Sequence, residues 1–285
     1  MTDNLTYVRE YLGTGTGTEG SLLIVKKIYE TLVDEANKVL IPTSEAALYF
    51  GPAQIPGSSI DVNLMTENSL SVRLVPEASE IPMDSAEYST TNMKPDKYGV
   101  AIRITREMLE DAQWNLLQHN LMIAGRRMAE KINALIISDA LDSAANTVAG
   151  GASVTIANVT RAIQYLHDAD KVATSFLVGN EVLFDLQNID TFVEADKLGS
   201  REMLSTGFVG TLYGMKVYRT STNAGMTTTS SYVYDKNHAF MIAEKRSITV
   251  ENFTLPSFDM EGAAVTMRVK IKPLRTNATC KITSS

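Results

Sequence analysis

Cysteine is almost missing from this sequence. The 285 residues hold one, Cys280, so no disulfide forms within the chain. Standing alone near an apolar stretch, it reads as a small buried side chain. Histidine is scarce as well: His119, His167 and His238 stand at no metal-ligand spacing from one another or from the cysteine. His167 does neighbour Asp168 and Asp170, but at a predicted helix end, where an imidazole suits the helix dipole without a metal. There is no Gly-X-Ser-X-Gly elbow and no GxxxxGKS/T phosphate loop. Catalytic residues, metal ligands and cofactors are therefore expected to be none.

Long apolar runs are also lacking. Nothing reaches the ~18 residues of a membrane span, so no membrane partner is expected. The chain opens on polar Met1-Thr-Asp, without the basic segment and apolar stretch of a secretory signal. The Asn-X-Ser/Thr matches at Asn4, Asn158, Asn252 and Asn277 then read as chance. A basic surplus is missing too. Lys and Arg number 26 against 33 Asp and Glu, a net charge of −7. That excludes a dedicated nucleic-acid binder. It still allows an acidic wall around nucleic acid, because like charge keeps the polymer from adhering.

What is present suffices for a core. Apolar residues make up 44% and charged residues 21%, and the length fits one large domain or two. Residues 1–20 are polar and end in Gly13-Thr-Gly15-Thr-Gly17-Thr-Glu-Gly20, an arm expected to be held by another subunit. This run also matches a dinucleotide fingerprint. The preceding Leu5–Leu12 is too polar for a central parallel strand, and no second strand with a terminal carboxylate comes after it. A nucleotide-dependent oxidoreductase is thus a remote alternative.

Val25, Ile28, Leu32, Ala36 and Val39 predict a helix over 21–40, ended by Pro42. Ala47–Phe50 is a short strand. Ile60-Val62-Leu64 and Val72-Leu74 predict a hairpin with its tip near Glu67–Ser69 and a thin apolar side. Val100, Ile102 and Ile104 alternate as a strand. Thr105 then caps a helix, with a break near 111–115. Positions 117, 121, 124, 128, 132, 135 and 136 draw one helical face to Leu141, about 36 Å long. Arg126, Arg127, Glu130 and Lys131 mark its solvated edge. Ala149-Gly150-Gly151 is read as a break. A mixed α/β region spans 154–230: a helix capped by Asn158, a buried strand at Ser175–Val178, a helix capped by Asn180, a hairpin around Tyr213-Gly214 and a surface loop over 226–231. Strands come next at 232–234 continuing near 239–242, at 247–253 and at 263–273, with a loop over Thr254–Gly262. A polar hairpin on so long a helix has little to bury within its own chain, so the fold is expected to be completed against neighbouring copies.

From residue 77 onward the order of features resembles the major capsid proteins of tailed phages and related archaeal viruses, the Hong Kong 97-type fold. The segments that carry the likeness are Glu77–Pro82, Ser89–Lys97, Val100–Asp111, Gly210–Tyr218, Ala239–Val250 and Phe258–Pro273. The resemblance implies an α+β fold with four parts: an N-terminal arm, an extended E-loop hairpin, a peripheral domain of spine helix and long antiparallel sheet, and an axial domain. These map to 1–50, 56–98, 99–148 with 232–285, and 149–231. The implied function is structural: pentamers and hexamers of an icosahedral shell, enclosing a double-stranded DNA viral genome without sequence-specific binding. The implied location is the virion, after synthesis in the host cytoplasm. Portal, scaffold and decoration proteins are further partners that the likeness admits. An encapsulin-type compartment is the alternative within the same fold.

Two departures qualify the likeness. Some members crosslink through an E-loop lysine, but no lysine lies between Gly51 and Met93, so that chemistry is not carried over. Others carry a long scaffolding segment before the arm, for which the start at Met1 leaves no room. Expected subunit-interface residues are Gly15 and Gly17 on the arm, Arg73, Glu77 and Glu80 on the hairpin, and Asp259 and Glu261 on the last loop. Arg126 and Arg127, with Arg103 and Arg106, are the expected partners for a neighbour's acids.

Overall fold

The computed structural model describes residues 41–65, 71–105, 107–108, 116–188 and 208–284, apart from positions 42, 78, 82 and 221. The expected arm, the helix over 21–40, the hairpin tip at 67–69 and the break near 111–115 lie outside these residues. In chain order the elements are β1 (Leu48–Phe50), β2 (Ile60–Met65), β3 (Tyr88–Met93), β4 (Asp96–Thr105), helix α1 (Leu116–Leu135) and β5 (Asn146–Gly151). Then come α2 (Ile156–Asp168), β6 (Ser175–Val178), α3 (Asn180–Gln187), β7 (Phe208–Leu212), β8 (Met215–Arg219) and β9 (Ser230–Tyr234). The chain ends with β10 (Phe240–Leu255), β11 (Met260–Pro273) and β12 (Thr279–Ser284).

Among the described residues the strands form three sheets. One has four strands in the order β1-β10-β11-β4. Its spine is the antiparallel pair β10 and β11, and β4 adds antiparallel along β11 from Met260↔Thr105 to Val269↔Asp96. The β10–β11 register shifts around Glu244, Arg246 and Thr249. Such bulges bend and twist a strand without ending it. This is why the expected strands at 239–242 and 247–253 are one strand: the charged stretch Glu244-Lys245-Arg246 is a bulge and not a turn. The expected loop 254–262 shrinks likewise to a tight turn over Pro256–Phe258 and Asp259, with strand on both sides.

Helix α1 lies beneath β11 and β4. Its predicted stripe is the buried one: Leu121, Ala124, Met128, Leu135 and Ile136 join the core with Ala263, Val265, Met267 and Ile271 of β11, and Ile132 packs at its edge. A wide π-type turn at Ile136–Ala140 and a tight one at Leu141–Ser143 end the helix. The wide turn brings Ile136, Ile137, Ala140 and Leu141 all into the interior. Just after β4, the Met108 N–H donates to Thr105 Oγ1 at 3.3 Å, the capping contact expected there.

The second sheet runs β5-β12-β9-β6-β8-β7, with β5 and β12 parallel and β6 and β8 parallel. Helix α2 packs against β12 and β5 over a separate core built on Val159, Ala162, Leu166, Phe176, Val217 and Ile282. Several expectations are corrected here. Residues 149–151 are strand and not a break, because pairing with β12 overrides the weak strand preference of Ala-Gly-Gly. Thr155, not Asn158, is the cap residue of α2; Asn158 accepts from Thr155 Oγ1 at 2.6 Å and donates to the Ala149 carbonyl. Gly179 caps α3 and Asn180 is its first residue. Met226, Ser230 and Ser231 of the expected surface loop are buried. Strands β9 and β12 belong to this sheet, so residues 232–285 are shared between the two large sheets. The turn at Tyr213-Gly214 has positive φ at both residues, 49° and 82°, as a tight two-residue hairpin requires.

The third sheet is the ribbon of β2 and β3, in register from Ile60↔Met93 to Met65↔Tyr88. The expected return strand Val72-Leu74 is thus replaced by Tyr88–Met93. Val72 and Leu74 fall in an irregular segment outside any strand. The ribbon's inner residues Ile60, Val62, Leu64 and Met93 rest on Ile55, Met241 and Ala243. The Lys245 ammonium donates to the Ile55 carbonyl, and Arg275 Nη2 to the Met65 carbonyl at 2.9 Å, so the base is pinned.

Candidate assembly surfaces

Beyond that base, the segment over 71–87 has almost nothing to cover it. Val72 is 104% exposed, Leu74 97%, Met83 90% and Ile81 71%, with Tyr88 beyond them at 68%. Among its described residues Asp84 forms a clamp. Ser71 donates its N–H at 3.0 Å and its hydroxyl at 2.7 Å to Asp84 Oδ2, and Arg73 Nη2 lies 3.2 Å from Oδ1. Those two bonds from Ser71 hold the Asp84 carboxyl below its usual range. Arg73, expected to meet a neighbour's acid, thus has one within its own loop. Glu77 and Glu80 stand exposed beside it.

A second surface is the outer side of α1. Arg126 and Arg127 are 60% exposed, and both reach Glu130, at 3.5 and 2.8 Å. Glu130, expected on the solvated edge, is in fact buried. The two arginines therefore already hold a carboxylate of their own helix. Lys131 continues the stripe, with its ammonium 5.5 Å from the centre of the Tyr98 ring. Arg103 is exposed on β4, and Arg106 lies outside the described residues.

A third surface is the far turn between β10 and β11. Phe258 is exposed there and Asp259 sits at φ 48°. Glu261 is placed by backbone register opposite Thr254 and Ile104. Bases close to it in sequence lie away from the turn. Arg246 pairs with Arg268, about 30 Å of strand from the turn. Lys270 bridges Asp96 at 3.2 Å and Asp139 at 3.6 Å. Gly15 and Gly17 lie outside the described residues.

Two polar junctions escaped the sequence reading, one buried and one partly exposed. Glu45, in a tight turn just before β1, accepts hydrogen bonds from the hydroxyls of Ser175 on β6 and Tyr218 on β8, the latter at 2.9 Å. Burial first, and then the Glu45 charge, push the Tyr218 phenol above its ordinary range. Nearby, the Ile41 N–H donates to Asn133 Oδ1 at 3.0 Å. Together these tie the chain entering β1 to α1 and to the six-stranded sheet. At the other junction, Asp142 Oδ1 accepts from Tyr232 at 2.6 Å and Lys281 at 2.7 Å. Burial opposes ionisation of Asp142, yet the bonds from Lys281 and Tyr232 outweigh it and hold the carboxyl below its usual range. A lone carboxylate gives no periodic signal of burial or of a partner more than a hundred residues away in sequence, which is why neither was foreseen. Cys280 is buried as expected, and burial pushes its thiol up to about 11.

The sequence matches the family model described as phage capsid protein over residues 87–271. The chain belongs to the phage capsid protein family. The match covers β3 through most of β11 and so includes α1 and both large sheets except β1 and β12. A search of curated proteins finds no relative by sequence. Among solved structures, this capsid protein resembles a chain of Mycobacterium phage Cain at 13% identity and a TM-score of 0.65, covering 99% of both chains. It also resembles the mature capsid of bacteriophage PhiM1, at 10% identity and 0.61, covering 86% of this chain and 87% of that one. A virus-like particle from Pyrococcus furiosus matches at 12% identity and 0.62, covering 91% and 99%. The fold is that of the Hong Kong 97-type shells. The protein is a structural major capsid protein, present in many copies in the shell of a virion.

Proposed function

We propose that this capsid protein closes into an icosahedral shell of pentamers and hexamers around a double-stranded DNA genome, after synthesis in the host cytoplasm. The observation that carries the assembly reading is the 71–87 segment. Four large apolar side chains, Val72, Leu74, Ile81 and Met83, stand in water on a loop with no core of its own. A patch of that kind is a contact surface. Its role is to lie on a neighbouring subunit, with Glu77 and Glu80 at the rim of the contact. The turn at Asp259 and Glu261 meets further copies, and the arm with Gly15 and Gly17 crosses to another subunit. Many such modest contacts act together.

In this reading residues 1–50 are the arm and its helix, and 56–98 the E-loop. The four-stranded sheet with α1 is the peripheral unit. The six-stranded sheet with α2 and α3 is the axial unit, which takes β9 and β12 out of the 232–285 stretch. Without a lysine in 52–92 the contacts are noncovalent, and portal, scaffold or decoration proteins join at the level of the shell. The likeness to the Pyrococcus furiosus particle favours a second reading, a protein compartment. Purified particles decide between them. Nuclease-protected DNA inside supports the genome shell, and a co-purifying enzyme without DNA supports the compartment.

A further inference from the structure

We propose that the outer face of α1 between His119 and Lys131 is where the capsid protein meets the backbone phosphates of the enclosed DNA. The proposal rests on the genome-shell reading above. The chain as a whole is acidic, with a net charge of −7. The longest helix among the described residues, α1, is the opposite on the outside. His119, Ile123, Arg126, Arg127 and Lys131 are exposed, and at 100° per residue they fall on one stripe about 18 Å long. The sole acid in the α1 sequence, Glu130, is buried at the edge of that stripe. Three cations thus stand over one carboxylate.

The buried carboxylate organises the stripe. Glu130 takes the Nε of Arg126 and one Nη of Arg127. A guanidinium carries five N–H donors in a rigid plane, so each arginine is oriented and keeps donors for a second anion. Lys131 is steadied against the Tyr98 ring. Oriented guanidiniums with spare donors suit phosphate oxygens, and a helix face that touches only the backbone reads no sequence. Elsewhere the acidic wall repels the polymer, so contact concentrates on this line.

The rival occupant is the acidic 71–87 segment of a neighbour. That segment needs an apolar counterface for Val72, Leu74, Ile81 and Met83. The stripe offers one large apolar side chain, Ile123. Leu48, Tyr49, Val100, Leu255 and Phe258, exposed on the four-stranded sheet and its turn, offer more. The stripe therefore fits the polyanion better.

The test is salt-dependent binding of a labelled duplex DNA to the full-length, unassembled protein, for wild type, Lys131→Gln and Ile123→Lys. Neither substitution touches Glu130 or its arginines, and circular dichroism checks the fold. Each phosphate contact contributes about −0.9 to the slope of log K against log salt. Lys131→Gln is expected to flatten the slope by about one contact, and Ile123→Lys to steepen it by about one. Slopes that both variants leave unchanged overturn the proposal, as does no binding by the wild type at low salt. Loss of particles in Lys131→Gln with an unchanged slope also overturns it, in favour of the neighbour's loop. Failure of the wild type to form shells in electron micrographs strikes the capsid reading instead, so the two failures are distinguishable.

Discussion

Replacing Glu45 by alanine removes a buried carboxylate that joins the entry to β1 with both β6 and β8. Ser175 and Tyr218 each lose the carboxylate to which a buried hydroxyl donates. An unsatisfied buried polar group costs about 1–3 kcal/mol, so the two together cost about 2–6. Against this stands the relief of no longer desolvating a carboxylate, which is itself several kcal/mol. The hydroxyls have no water to turn to: Ser175 is 1% and Tyr218 5% exposed. The cost of breaking a buried charged contact from one side is therefore the better guide, about 3–5 kcal/mol. Glu45→Gln keeps the shape and one acceptor and is expected to cost about 1–2 kcal/mol. Tyr218→Phe, which removes one donor, belongs in the same range. Urea unfolding of the unassembled subunit measures all three by circular dichroism. A double-mutant cycle of Glu45→Gln with Tyr218→Phe should show coupling of at least ~0.5 kcal/mol. Glu45→Ala within ~0.5 kcal/mol of wild type, or additive single effects, would show that the carboxylate does not tie the two sheets together.

Three further outcomes come from the packing. Leu135→Ala empties a site in the core beneath β11 and is expected to cost about 2–5 kcal/mol in the same unfolding assay; a change under ~0.5 would mean that the α1 face is not buried. Gly262→Ala sets a Cβ 2.3 Å from the Ile102 carbonyl oxygen and 2.7 Å from Phe253 Cζ, so β4 and β11 must part; the melting temperature should fall by an amount equivalent to about 1–3 kcal/mol, and an unchanged one refutes the close approach. Asp142 has a folded pKa below its unfolded value, so its contribution is present above about pH 4 and is lost as pH falls through the folded pKa. Lys281→Met raises that pKa and should flatten the acid limb of stability by less than ~1 kcal/mol, because the pair is partly exposed; an identical acid limb in the variant contradicts the linkage.

The parts of the fold legible in the sequence are those with a local period. The α1 stripe repeats every three to four residues, and Leu121, Met128 and Leu135 are buried where it places them. Val100, Ile102 and Ile104 alternate, and they lie on β4, which starts earlier, at Asp96. Tyr213-Gly214 carries the turn chemistry of its hairpin. Other elements depend on distant partners. Strand β5 has one buried apolar residue, Val148, and exists because β12 pairs with it from the far end of the chain. The long β10 looked like two strands because the charged run Glu244-Lys245-Arg246 at the bulge interrupts its apolar pattern. The same limit holds at the surfaces. The exposed loop was readable from its polarity, whereas the inward turn of Glu130 and Glu45 was not, since burial of a lone carboxylate depends on what the tertiary fold brings to it.

A cryo-electron microscopy reconstruction of particles assembled from the purified protein tests the central claim most directly. The account predicts a closed shell in which Val72, Leu74, Ile81 and Met83 of each copy lie within about 4 Å of apolar atoms of a neighbouring copy. Particles that never close, or a closed shell in which those four side chains remain in solvent, would contradict it.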